Sequence, residues 1–217
     1  TRRIIDQIDW PCELNTNYSG INLGCRKAVS SGIDWFFDNV QEGIILEDDC
    51  LPNVSFFQFC ELLLKHYRDD ERVMHIGGVN FQDGRTRRTC SYYFSKLSHI
   101  WGWATWKRAW DKYDIDLSLF PQLLKENKLS SLLPDQSMKQ YWQKNFNLVY
   151  TKQKDTWDIQ WQFAIFASNG TTICPNINLI SNIGFDSAAT HTIDHFHPLA
   201  NCKTGHIDDI THPESIE

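Results

Sequence analysis

Three carboxylates stand side by side in the stretch "GIILEDDCLP". Glu47, Asp48 and Asp49 follow directly on the apolar run Ile44-Ile45-Leu46, and Cys50, Leu51 and Pro52 close the segment. Adjacent carboxylates repel, and burying them costs on the order of several kcal/mol per ion unless a cation is present. A hard divalent cation, Mn2+ or Mg2+, answers this, because it takes oxygen ligands and leaves coordination positions open for substrate phosphates. So placed, it would neutralise a diphosphate leaving group. The plainer alternative is a solvated acidic turn, since Asp is common in turns. The continuous apolar run before the acids and the proline after them favour a strand end.

Other residues could share that chemistry. Asp158, set between Trp157 and Trp161 in "TWDIQW", is a candidate general base. It also fits as a first-turn helix acid, and the two roles are compatible. Arg26 and Lys27 could meet a diphosphate or a base, although neighbours on a helix point different ways. Trp103, Trp106 and Trp110 fall at i, i+3 and i+7, a stripe expected to face the core. Trp101, Gly102 and Trp103 would open that helix, where rings could line a sugar or acceptor pocket, with Trp157 nearby. His191, His195 and His197 lie close enough to ligate a metal, in a polar, Pro-containing setting that suits a solvated tail. The seven cysteines include no CxxC pair and are odd in number, which suggests reduced thiols rather than a zinc knuckle or a disulfide framework. Sequons at Asn17, Asn53 and Asn169 would matter only in a secretory compartment.

The elements that must position these groups follow from periodicity. Residues 1–9 have helical spacing from the first residues, as though the chain begins inside a helix, and "CELN" reads as a short strand. A helix is expected over 23–38, then the buried strand "GIILEDD", then a helix capped by Ser55, then the strand "RVMHIGGVNF". This β-α-β-α-β order predicts a mostly parallel sheet flanked by helices, with ligands at the carboxyl ends of its strands. "SYYFS" reads as a strand, "GWATWKRAWDKY" as a helix, and 116–152 as helical with breaks at Pro121 and Pro134. "WDIQWQFAIFASNG" reads as a helix capped by Gly170, and "TTICPNINLI" as extended. From 186 the sequence reads as a loop and a loose His-rich tail. With 217 residues, 41% hydrophobic and 22% charged, the chain suits one globular domain, and its net charge of −6 argues against nucleic acid as a partner. No run of 18 apolar residues is present.

The segment "NLGCRKAVSSGIDWFFDNVQEGIILEDDCLPNVSFFQFCELLL" resembles the GT-A glycosyltransferases, above all the bacterial glycosyltransferase-2-like kind. It is also similar to the N-acetylglucosaminyltransferases that begin complex N-glycans. The likeness continues through "YYFSKLSHIWGWATWKRAW" and "TWDIQWQFAIFASNGTTICPNINLISNIGFDSAATH", covering most of 15–192. It implies a Rossmann-like α/β fold and an inverting, metal-dependent transfer from a nucleotide-sugar donor, UDP-N-acetylglucosamine or a UDP-hexose. The acceptor would be a glycan, a cell-surface polysaccharide or a lipid-linked precursor. Asp49 would ligate Mn2+ directly, with His191 as a further ligand. Glu47 and Asp48 would hold the donor ribose and the metal's waters, and Asp158 would be the base. The family's second aspartate beside the base has no counterpart, since Thr156 and Ile159 stand there. "GFDSAATH" would be a donor lid with Gly184 as a hinge.

By the same likeness, residues 1–185 would be a transferase domain lacking its first β-α-β unit, with 186–217 as lid and tail. The expected location is the bacterial cytoplasm, at most peripheral at the inner membrane, rather than a Golgi lumen. Two rivals stand beside this reading. One is a sugar-phosphate nucleotidyltransferase, which also sets acids around Mg2+. The other is a degenerate, non-catalytic carbohydrate-binding remnant.

Overall fold

Two helices lead back into strands of one sheet, and that connection decides where the acids end up. The computed structural model describes residues 5, 7–82, 85–87, 89–131, 133, 135–185 and 198–216. Helix α1 (Gly24–Asn39) precedes β1 (Glu42–Ile45), and the short strand β2 (Cys50–Pro52) leads into α2 (Val54–His66) and β3 (Val73–Gly77). Then come β4 (Tyr92–Ser95), β5 (Trp103–Trp106) and a single turn, α3 (Lys107–Trp110). A helical stretch follows: α4 (Phe120–Lys125), α5 (Lys128–Ser131), α6 (Gln136–Tyr150) and α7 (Asp158–Ala167). Strands β6 (Thr171–Pro175) and β7 (Ile180–Asn182) end the regular structure.

The main sheet has the order β1-β5-β3-β6-β4, and β2 pairs with β7 in a separate ribbon. Only β3 and β6 are parallel neighbours; β1–β5, β5–β3 and β6–β4 are antiparallel. The sheet is therefore mixed, where the β-α-β order predicted a mostly parallel one. The cause is β5, which enters from a distant loop and inserts, reversed, between β1 and β3. Strands β1, β3 and β6 still share one direction, so their carboxyl ends lie on one side of the sheet.

Helices cover both faces. Phe56, Phe59, Cys60, Leu63 and Leu64 of α2 pack on one face against Val73, Ile76, Ala104, Trp106 and Ile173. Ile33 and Phe37 of α1, with Trp161, Ala164 and Ile165 of α7, pack on the other against Met74 and Trp103. Helix α7 is buried on every side from Ile159 to Phe166, because Ile159, Phe163 and Phe166 pack away from the sheet onto Phe120, Phe146 and Val149. Each large side chain so buried contributes roughly 1.5–3 kcal/mol.

The segment "GWATW" is a strand, not the start of a helix. Trp103 and Trp106 belong to opposite faces, as alternation by two requires, so the helical stripe they suggested does not exist. Strand β1 is half-buried rather than fully buried, since it lies at the sheet's edge among the described residues. Asn53, not Ser55, caps α2: its side chain accepts from Ser55 N at 3.0 Å. Pro121 lies in the first turn of α4 instead of breaking a helix. Ser168 caps α7 and Asn169 takes the left-handed conformation (φ 50°), so Gly170 is not the cap. "CELN" forms no strand; its residues are exposed. The expected first helix falls mostly outside the described residues. The described part of the tail is fastened to the body: Ile207 is buried against the α2 face, and His212 stacks on His66 at 4.1 Å.

A β-bulge holds the two faces in register. Between Val73 and His75 the pairing with β6 slips by one, turning both Met74 and His75 toward the tryptophan face. Trp161 Nε1–H donates to His75 Nδ1 (3.1 Å), so His75 Nε2–H donates to the His99 carbonyl (3.1 Å). Burial, then the nearby His99, pushes the His75 pKa down to about 3. His75 thus supports stability above the usual histidine pKa, and that support is lost as pH falls from about 6.5 toward 3, at up to ~1.4 kcal/mol per unit. Replacing His75 with leucine leaves the Trp161 N–H and the His99 carbonyl unpaired. Urea denaturation at pH 7.5 should show His75→Leu destabilised by about 2–4 kcal/mol, with this acid limb flattened.

Candidate active site

The acids lie where three chain ends converge. β1 delivers Glu47, Asp48 and Asp49 at its carboxyl end. α1 runs antiparallel into β1, so its N-terminal residues Gly24 and Cys25 lie at that same end. α7 leads into β6 likewise and brings Trp157 and Asp158 there. The aligned backbone dipoles of both helices leave partial positive charge at these N-termini, which favours carboxylates beside them.

The acidic turn is closed by Cys50 N donating to Glu47 O (3.1 Å) and braced by Ile183 N donating to Asp49 O (2.9 Å). Its three carboxylates separate. Asp48 is exposed, whereas Glu47 and Asp49 are half-buried. Glu47 accepts a hydrogen bond from the side chain of the buried Trp157. Asp49 accepts from the Cys50 thiol (3.6 Å), and burial pushes that thiol's pKa up to about 12. Gly184 is held against the Asp49 carboxyl: a β-carbon there would lie 2.9 Å from Cγ. Gly184 N donates to Asn182 Oδ1 (2.8 Å) at the end of β7. Any larger residue at 184 would displace Asp49.

Burial drives the Glu47 pKa up from 4.5 to about 7. Asp49 adds to this, the Trp157 hydrogen bond opposes it, and Asp158 and Asp48 add smaller pushes. Cys25 is raised by burial and then by Glu47, Asp155 and Asp158, which ties the start of α1 to both acidic elements. Arg26 pairs with Asp155 (3.3 Å), and the Tyr113 hydroxyl donates to Trp157 O (3.2 Å). Asp158 accepts from Thr156 Oγ1 through one carboxyl oxygen.

A cavity of about 180 Å³ opens on the far side of Asp158. Phe81, Trp101 and Trp142 give it apolar walls, and Ser98, His99 and Gln162 give it polar ones. The site residues named from sequence thus divide. Glu47, Asp49, Asp158, Trp157 and Arg26 converge, Asp48 stands at the rim, and Trp101 lines the cavity. Lys27 is exposed on α1. Trp103 is 0% exposed, stacked between His75 and Trp157, and offers no ring face to a ligand. Gly102 has φ 63° and approaches so closely that a β-carbon would lie 2.5 Å from Ile180 Cδ1, so its role is in packing. Trp157 is 2% exposed and serves as Glu47's donor rather than as a stacking platform. His191 and the expected lid lie outside the described residues. Cys25, Tyr113, Asp155, His99, Phe81, Trp142 and Gln162 had no sequence signal: Tyr113, His99, Phe81 and Trp142 are remote along the chain from the acids, and Cys25, Asp155 and Gln162, although close to Arg26 or Asp158, belong to no motif.

Among the described residues, no group of three or more His, Cys, Asp and Glu side chains is arranged to hold a metal ion by itself. The donors present suit a hard cation shared with a ligand: Mg2+-type ions are commonly held by one or two carboxylates plus substrate phosphates. Glu47 is raised first by burial and then by Asp49, and a cation beside it offsets both costs. No helix among the described residues is long and apolar enough to cross a membrane. No protein-family model matches the chain, and no curated protein matches it.

A raised carboxyl pKa means that the folded state binds the proton more tightly than the unfolded one. Glu47 therefore costs stability as pH rises from about 4.5 through 7. With EDTA present, Glu47→Gln should match the wild type near pH 4 and exceed it at pH 8 by about 1–3 kcal/mol. Denaturant melts of the two proteins at both pH values check this; equal stability at pH 8 would mean that ionised Glu47 is not strained.

Proposed function

We propose that the chain is a metal-dependent, inverting glycosyltransferase of the GT-A kind. It would move a sugar from a nucleotide-diphosphate donor, UDP-N-acetylglucosamine or a UDP-hexose, to a glycan or lipid-linked acceptor. The observation that carries this reading is the position of Asp158. It couples electrostatically to Glu47, which in turn couples to Asp49, and it also lines the aromatic cavity. One carboxylate is thus shared by an acidic turn suited to a cation and an open pocket. A base must stand just so when a donor and an acceptor meet from opposite sides. Acids at the shared carboxyl end of β1, β3 and β6, with helices on both faces, agree with the same reading.

Asp49 is the residue to hold Mn2+ or Mg2+, with Glu47 and Asp48 toward its waters and the donor ribose. The cation would supply charge neutralisation for the departing diphosphate. Arg26 can turn from Asp155 to a phosphate oxygen, a shift that gives up a partly exposed ion pair. Asp158, through the oxygen not engaged by Thr156, takes the proton from the acceptor hydroxyl as that oxygen attacks the sugar's anomeric carbon. The bond to the diphosphate breaks on the opposite face, and the anomeric configuration inverts.

Calorimetric titration of UDP in the presence of Mn2+ should show binding to the wild type and none to Asp49→Ala. Asp158→Asn should keep that binding while transfer, or donor hydrolysis without acceptor, falls about 10²–10⁴-fold. UDP binding indifferent to both Mn2+ and Asp49 would overturn the reading.

A further inference from the structure

We propose that the cavity beside Asp158 receives a neutral pyranose ring, the terminal sugar of the acceptor, that His99 positions it, and that rings bearing a carboxylate or phosphate are refused. This rests on the transferase reading above.

Size comes first. The cavity's 180 Å³ leaves room for a six-membered ring with its hydroxyls. The lining mixes apolar and polar groups, as a sugar does. Trp101 stands edge-on to Phe81 (5.3 Å between ring centres) and supplies apolar surface for a C–H face, with Trp142 also on the wall. Ser98, His99, Asp158 and Gln162 are polar, and their hydrogen-bonding capacity can be counted.

Gln162 is already engaged. Its Oε1 accepts from Ser98 N (2.7 Å) and Ser98 Oγ (3.0 Å), and its Nε2 donates to Lys96 O (2.8 Å). Ser98 has spent its proton on Gln162, so toward the cavity it can only accept. Asp158 has given one oxygen to Thr156 and can only accept with the other. The His99 carbonyl is held by His75, and its ring stands edge-on to Phe81 at 5.0 Å. Burial lowers the His99 pKa, so the imidazole is neutral at pH 7, with one N–H and one lone pair.

The wall therefore offers acceptors at Ser98 and Asp158, neutral N–H donors at His99, at the second Gln162 Nε2 proton and at the two indoles, and one carboxylate. Hydroxyl groups, which donate, satisfy those acceptors. An anionic ring would meet Asp158 with no Lys or Arg among the described lining residues to offset it. His99 has the N–H that a ring or hydroxyl oxygen needs, and its carbonyl is anchored through His75 to the bulge of β3.

Saturation-transfer NMR tests this with millimolar methyl glycosides of glucose, galactose, mannose and N-acetylglucosamine, and with methyl glucuronide. At least one neutral glycoside is expected to bind at least about 10-fold more tightly than the glucuronide. His99→Ala should weaken it by about 10-fold, and His99→Gln, which keeps a donor and an acceptor, should recover part of the loss. Asp158→Asn should bring the glucuronide within a few-fold of the neutral sugar. Calorimetry with UDP and Mn2+ on the same samples separates the two ideas. If UDP and Mn2+ bind but no neutral glycoside does, the cavity assignment is overturned and the transferase reading stands. Equal binding of the glucuronide, or indifference to both His99 substitutions, also overturns it. If the wild type binds no UDP with Mn2+, the transferase reading fails and the acceptor assignment goes with it.

Discussion

The Trp157 side chain donates to a Glu47 carboxyl that is half-buried, faces Asp49 and is pushed up to about 7. That contact joins the end of β1 to the start of α7 across a concentration of negative charge, and the surroundings can be understood as what it takes to hold it. Trp157 is fixed by stacking on Trp103 at 5.8 Å and by its carbonyl accepting from Tyr113. Trp103 is fixed in turn by His75 and Trp161, which hydrogen-bond to each other. The aromatic core is thus the rigid backing of the acidic turn. Its cost is electrostatic strain that only a proton or a cation removes.

Topology makes the strain useful. Two helices that each precede a strand set their N-termini at the carboxyl end of the sheet, and both bear on the acids. Strand β5, entering reversed between β1 and β3, puts Gly102 and Trp103 directly behind the turn: Trp103 pairs with Ile45 on one side and Gly77 on the other. The loop leading into β5 carries Ser98, His99 and Trp101 to the same end, where they wall the cavity on the far side of Asp158. The backing of the acidic turn and the pocket wall are therefore two products of one strand insertion.

Much of this was legible in the sequence, for identifiable reasons. Helices α1, α2 and α7 carry strong apolar periodicity or continuous burial, and the acids after Ile44-Ile45-Leu46 announced a charged strand end. The direction of the sheet was not legible, because inserting β5 is a long-range event that local order does not encode. Trp103, Trp106 and Trp110 happen to satisfy helical spacing, yet the first two alternate across a strand, and four residues cannot distinguish the periods. Gly102 and Trp103 looked like pocket residues because they fell at the entry of an expected helix in a segment that the resemblance sets near the donor sugar; here one permits a close approach and the other fills the core. The polar wall of the cavity comes from segments some sixty residues apart, Ser98 and His99 on one and Asp158 and Gln162 on the other, so no motif could reveal it.

The central claim is that the acidic turn is a charge site built to receive a cation and a diphosphate. The most direct measurement is a ¹³C NMR titration of the Glu47 side-chain carboxyl, first with EDTA and then with saturating Mg2+ and UDP. Without the cation its midpoint is expected at about 7, and with both ligands it should fall by a unit or more, each unit being about 1.4 kcal/mol in favour of the charged form. A midpoint that does not move when cation and diphosphate are added would contradict the account.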